Sequence, residues 1–229
     1  GQLTLQARAD GPVRLLVCDF RLPGEVRGYV DFDPGAVAVL PPEPALPLLF
    51  GQGYLALTME QGAQAERYQG IVPLEGDDLA SAAAAYFARS EQLPTALRLA
   101  VRHDGLGGRW LAGGLMLQHL PADGGAPADA DGWNRVSLLG QSIHADELTD
   151  PALALEALLW RLYHEEEVIV FPQRTITRGC RCTQPRIAVV LRQFSPEQRR
   201  DLVEADGRIA VTCEFCSRSF HFTADAEPA

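Results

Sequence analysis

Four of the five cysteines fall in two tight pairs near the C-terminal end: Cys180-Arg181-Cys182 and Cys213-Glu214-Phe215-Cys216. Thirty residues separate Cys182 from Cys213. Two close thiol pairs brought together across a loop make a Cys₄ tetrahedral metal site, with zinc the expected ion. The same sulfurs can instead close into two short disulfides, neighbour with neighbour. A fold that holds the metal must bring residues 180–182 and 213–216 to one point.

At 229 residues with 47% apolar content, the chain is long enough for one sizeable domain and a small one. No run approaches the ~18 apolar residues of a membrane span, and the alternating start, residues 2–6, is unlike a signal peptide. The reading is therefore a cytoplasmic protein with no membrane partner. In a reducing compartment, clustered cysteines point to metal or redox chemistry. The net charge of −10 lies wholly in residues 1–179, which argues against a nucleic-acid surface. All 20 basic residues are arginine, the mark of a GC-rich genome.

The pattern along the chain predicts an α+β fold: an N-terminal antiparallel-sheet domain with helices, a helical linker and a small C-terminal zinc-binding domain. Strands are expected at 3–8 and 13–20 around a turn, at 26–32, at 54–59 with a hairpin partner at 69–74, and at 97–102 and 113–120. The Pro-rich stretch 33–47 reads as loop. A helix over 77–90 has Asp77 or Asp78 as its cap. Residues 121–132 read as a flexible boundary. Helices follow over 133–143 and from Asp150 to about Glu165, the latter with Pro151 in first position. In that second helix Leu155, Leu158, Leu159, Leu162 and Tyr163 share one face and must pack on something. Glu165, Glu166 and Glu167 oppose the dipole at its end and weaken it.

In the last fifty residues Thr183 caps a helix through Phe194. Ser195-Pro196-Glu197-Gln198 is a capping box opening another, and Gly207 suits its end. Strands at 209–212 and 220–222 flank the second cysteine pair. A unit this small has a core worth roughly 3–5 kcal/mol, against about 10–16 kcal/mol of apparent folding free energy from a structural zinc. Arg178, Arg181, Arg186 and Arg218 are near enough in sequence to offset a charged thiolate cluster. Oxidation is expected to join Cys180 to Cys182 and Cys213 to Cys216 in strained, readily reduced rings. Cys18, in an apolar strand, reads as a buried core thiol. His103, His119, His144 and His164 lack ligand spacing, and His221 is a strand residue.

Segments spread through the chain in order carry a resemblance. They include GYLALT at 53–58, ERYQGIVPLEG at 66–76, YFARSEQLPT at 86–95, AGGLMLQHLP at 112–121 and LLWRLYHEEEVIVF at 158–171. With the cysteine motif they make the chain similar to the heat shock protein 33 family of bacterial redox-regulated chaperones. The resemblance implies a non-enzymatic, ATP-independent holdase with one zinc ion in the reduced state. Cys180, Cys182, Cys213 and Cys216 are then both ligands and sensors. Oxidation to the disulfides Cys180-Cys182 and Cys213-Cys216 releases zinc, and the zinc domain and linker unfold. Apolar surface then opens to unfolded client proteins, and active forms are homodimers. The implied parts are a client-binding and dimerisation domain (1–127), a redox-sensitive linker (128–179) and a redox-switch domain (180–229). The family pattern also includes a further segment ahead of this chain's first strand.

The residues alone leave two other functions open. One is a thiol–disulfide oxidoreductase using Cys213 and Cys216, although a thioredoxin-like setting is lacking. The other is a structural zinc module that binds nucleic acid, against which the acidic balance weighs.

Overall fold

A computed structural model describes residues 1–62, 67–105, 108–121 and 130–227. β1 (Gln2–Ala9), β2 (Val13–Arg21) and β3 (Glu25–Phe32) form an antiparallel meander. Two short helices follow, α1 (Pro34–Ala38) and α2 (Leu46–Phe50), where sequence reading expected only loop. A proline at the first helical positions starts a helix, since its missing N–H has no partner there anyway. Asp33 caps α1 by accepting from the amides of Gly35 and Ala36 at 2.8 and 3.0 Å. β4 (Gly53–Glu60) then pairs with the free side of β1, and β5 (Arg67–Pro73) with β4.

Strand alternation gives this sheet two different faces. Leu3, Leu5, Ala7, Leu55, Leu57 and Val72 point to one side, into the main core. α3 (Leu79–Ser90) covers them, with Asp78 and Ser81 forming a reciprocal capping box. Its alanines allow close approach, and Tyr86, fully buried, lies over Gly70, where an added Cβ would come 2.5 Å from the Tyr86 hydroxyl. The other face is polar and carries Gln2, Thr4, Asp19, Arg27, Thr58 and Gln69. Cys18 is opposite Leu5 on the apolar face, yet it is exposed rather than buried. Among the described residues the core under α3 centres on β1, β4 and β5, and Val30 and Phe32 on β3 are open to solvent as well.

β6 (Thr95–His103) and β7 (Trp110–Gln118) form a separate hairpin. Most of the expected 121–132 boundary, residues 122–129, lies outside the described residues. α4 (Ala130–Gln141), α5 (Ala145–Leu148) and α6 (Leu155–Tyr163) follow. α6 begins five residues later than Asp150. Asp150 uses its carboxylate to accept from Ala152 N at 2.8 Å in a preceding turn, so its capping chemistry is spent there. On α6, Leu158 and Tyr163 are buried and Leu159 and Leu162 half-buried; Leu155, in the first turn, is 58% exposed and leaves the packed face. The Tyr163 hydroxyl donates to Val136 O at 3.4 Å, seating α6 against α4. The acidic helix end is steadied where sequence reading expected weakness: Arg135 donates to both Glu166 oxygens at 2.5 and 3.1 Å.

After an extended stretch, β8 (Thr177–Arg178) joins the far edge of the main sheet, parallel to β3. The sheet order is therefore β5-β4-β1-β2-β3-β8. The last unit comprises α7 (Gln184–Leu191), α8 (Pro196–Asp201) and the hairpin of β9 (Ile209–Thr212) and β10 (Ser219–Phe222). Its buried core is Ala188, Leu191, Ile209, Phe222 and Ala226. The Ser195–Gln198 capping box forms as expected. α7 stops at Leu191, short of Phe194, and Gly207 (φ +80°) serves the turn into β9 instead of ending α8.

Candidate metal centre

β8 sets the first cysteine pair. Gly179 donates to Val26 O at 3.0 Å, and a side chain there would press on Glu25 at 2.9 Å, so the chain hugs the sheet edge just before Cys180. The second pair forms a knuckle between β9 and β10. Cys213 N donates to Arg218 O at 3.0 Å and Ser217 N to Cys213 O at 2.7 Å. Ser217 takes a left-handed φ of +56° to close it, a conformation unusual for a residue with a Cβ.

The four Sγ atoms lie within 4.8 Å of one another. Cys182 is 3.3 Å from both Cys180 and Cys216, and Cys180 is 3.6 Å from Cys213. A disulfide would need about 2.05 Å. Four sulfurs each about 2.3 Å from a central zinc stand roughly 3.8 Å apart, so this spacing and donor set fit one tetrahedral ion. Among the described residues these four cysteines are the only such group, and His221 is not part of it. Proximity does not choose the disulfide pairing, since Cys182 is equally near two partners.

The sulfurs do not share their protons evenly. For Cys180, desolvation favours the thiol, but the Cys182 amide and then the neighbouring thiols hydrogen-bond the thiolate and bring it down to about 6. Desolvation and the surrounding sulfurs push Cys182 up to about 12.

The family profile described as Hsp33 protein matches residues 1–223. The chain belongs to the Hsp33 family. It is 42% identical over 225 residues to the 33 kDa chaperonin of Caulobacter vibrioides, covering 96% of this chain and 74% of that one. It is 36% identical to the 33 kDa chaperonin of Escherichia coli K12 over 224 residues, or 98% and 73% of the two chains. The crystal structure of the 33 kDa chaperonin (heat shock protein 33 homologue) from Thermotoga maritima superimposes with a TM-score of 0.80. At 23% identity and coverage of 98% and 75%, it shows the shared α+β fold.

This Hsp33 chain seats its cysteine cluster on the polar face of the sheet through the residues between the ligands. Arg181, inside the first pair, donates to Gln2 Oε1 at 2.7 Å and approaches Asp19 at 3.9 Å. Phe215, inside the second, lies under the Arg27 guanidinium at 3.9 Å and beside Tyr29 at 6.0 Å. Asp19 ties these together. It is 4% exposed and accepts from Thr4 Oγ1 at 2.7 Å and from Arg27 at 2.7 and 2.5 Å. Of the four arginines expected beside the sulfurs, Arg181 and Arg186 line a cleft with Cys182 and Cys213, while Arg218 contributes its backbone carbonyl. Sequence reading missed Asp19, Arg27 and Tyr29. The available signal was an aspartate inside the run Leu15-Leu16-Val17-Cys18-Asp19-Phe20, because a charge at a core-like position requires a partner. No helix among the described residues is long and apolar enough to cross a membrane.

Proposed function

We propose that this Hsp33-family protein is a redox-regulated, ATP-independent holdase, non-enzymatic and cytoplasmic, whose switch is Cys180, Cys182, Cys213 and Cys216. The observation that carries the reading is the meeting of these four sulfurs within 4.8 Å, on a unit with a five-residue buried core. A bound zinc ion, one per chain, would cross-link the unit and contribute about 10–16 kcal/mol to its folding. The chain's own core supplies roughly 3–5 kcal/mol.

Oxidation by hydrogen peroxide takes two thiols to one disulfide and reduces the peroxide to two waters. We assign the pairs as Cys180-Cys182 and Cys213-Cys216. Once joined, the sulfurs no longer offer thiolates to a metal, and the unit at 180–229 loses its main support. Arg181 and Phe215 then leave the sheet, and β8 has no anchor on its C-terminal side. The linker, 128–179, follows, and the α6 face of Leu158, Leu159, Leu162 and Tyr163 lifts off α4, with Leu155 already at its open edge. The uncovered surface of the domain at 1–127 binds unfolding clients and forms the active homodimer. This is an order-to-disorder switch.

The test is light scattering of a heat-denatured client with the protein, either reduced with zinc or oxidised with peroxide at mild heat. Suppression of scattering by the oxidised form alone is expected. Equal suppression by both forms, or by neither, would overturn the redox switch.

A further inference from the structure

A cleft of about 300 Å³ opens beside the cysteine cluster. Cys182 and Cys213 line it, one sulfur from each pair, whereas Cys180 and Cys216 do not. Arg27, Arg181 and Arg186 give it positive charge, and Ile187, Val190 and Val211 give it an aliphatic surface. A neighbouring cavity of about 340 Å³ shares Arg181 and Arg186 and adds Arg21, with Glu60 as its carboxylate. Four arginines thus gather here on a chain of net charge −10. Two are already engaged, since Arg27 and Arg181 both face Asp19. Arg186 is exposed and has no carboxylate within 4.0 Å among the described residues, so it offers an uncommitted charge.

We infer that this cleft is an entry site for small carboxylate-bearing disulfides, which it steers onto Cys182 and Cys213. A cleft lined with one sign of charge concentrates oppositely charged reactants and raises their rate of encounter. The aliphatic side chains suit the carbon skeleton of an organic anion, which a bare inorganic ion lacks. The chemistry is thiol–disulfide exchange. A cysteine thiolate attacks one sulfur of the reagent, its S–S bond breaks, and one thiolate of the reagent leaves. A second cysteine thiolate of the cluster then attacks the mixed disulfide and expels the other half. Two cysteine thiolates are oxidised to one protein disulfide, and the small disulfide is reduced to two thiolates. The inference concerns access to the sulfurs and stands whether or not the protein holds clients.

The test compares two chromogenic disulfides on the full reduced chain in a single metal state: the dianionic 5,5′-dithiobis(2-nitrobenzoate) and the neutral 2,2′-dithiodipyridine. The measured quantity is the ratio of their initial rates, so the metal state and any change in overall thiol reactivity cancel. Arg186→Gln is expected to lower the anionic rate about tenfold and leave the neutral rate unchanged. Arg186→Lys should restore most of the ratio, and high salt should reduce the wild-type ratio toward that of Arg186→Gln. Mass spectrometry of briefly treated protein should find the first adduct on Cys182 or Cys213. A ratio unaffected by Arg186→Gln, an equal slowing of both reagents, or a first adduct on Cys180 or Cys216 would overturn the inference.

Discussion

Replacing Asp19 with alanine should undo the seating of the cysteine cluster without touching a cysteine. The carboxylate is 4% exposed, and its loss removes the Thr4 hydrogen bond at 2.7 Å, both Arg27 contacts and the charge facing Arg181. Arg27, whose side chain is 19% exposed, is left as a charge without its partner. Breaking a buried ion pair costs about 3–5 kcal/mol. Arg27 keeps the Phe215 ring at 3.9 Å and some solvent, which places the cost at the low end, about 3 kcal/mol. In a chain of this length each kcal/mol moves Tm by roughly 2–4 °C, so the reduced, zinc-loaded variant should melt about 6–12 °C lower. Asp19→Asn, which keeps an acceptor oxygen for Thr4 but no charge for the arginines, should fall between. Circular dichroism melts of the three proteins, with zinc transfer to a chromophoric chelator followed in parallel, give the readout. Zinc should leave faster from the alanine variant, because Arg181 inside the first pair has lost its anchor. A fall in Tm under 2 °C with unchanged zinc transfer would refute the coupling.

Zinc affinity should decrease as pH falls, most steeply once pH drops below about 6, where Cys180 takes up a proton. The sign follows from the lowered value: a thiolate favoured in the folded state stabilises it above the usual thiol range, and that contribution is lost as pH falls through 6. A chelator competition from pH 5 to 8 that shows flat affinity would contradict this. Phe222→Ala removes a fully buried ring from the small core, at a cost of about 3–5 kcal/mol. That equals the whole estimated core contribution but is less than the metal supplies, so by circular dichroism the zinc-loaded variant should stay folded and melt at a lower temperature than the zinc-loaded parent. Gly113→Ala would put a methyl group 1.8 Å from Leu148 O and must force α5 away from β7, costing about 1–3 kcal/mol in a thermal melt. Gly62→Ala meets nothing within 4 Å among the described residues and should leave the melt unchanged.

The elements that the sequence revealed are those built from local rules. The alternation at 2–9 and 13–21, the cap at Asp78, the Ser195–Gln198 box and the β9–β10 hairpin all depend on neighbours within a few residues. The cysteine cluster was legible as well, because two close thiol pairs suit one tetrahedral ion whatever the intervening path. What escaped was set by contacts across the chain. Asp150 carries a cap's chemistry but spends it on a turn. Cys18 sits on an apolar strand face, but strand alternation cannot tell which part of that face a helix covers. The Asp19 network joins residues from β1, β2, β3 and the first cysteine pair, a register that no local pattern encodes.

The hydrogen bond between Arg181 and Gln2 closes a loop of 179 residues. During synthesis at about 5–20 residues per second, Gln2 is made roughly 10–40 seconds before its partner. β1 to β5 are all translated in that interval, so the sheet can pair while its polar face is still bare. The cysteine unit is thus a late arrival that docks on a surface already built. A nascent chain that meets an oxidant before docking would have its sulfurs paired without ever having been seated.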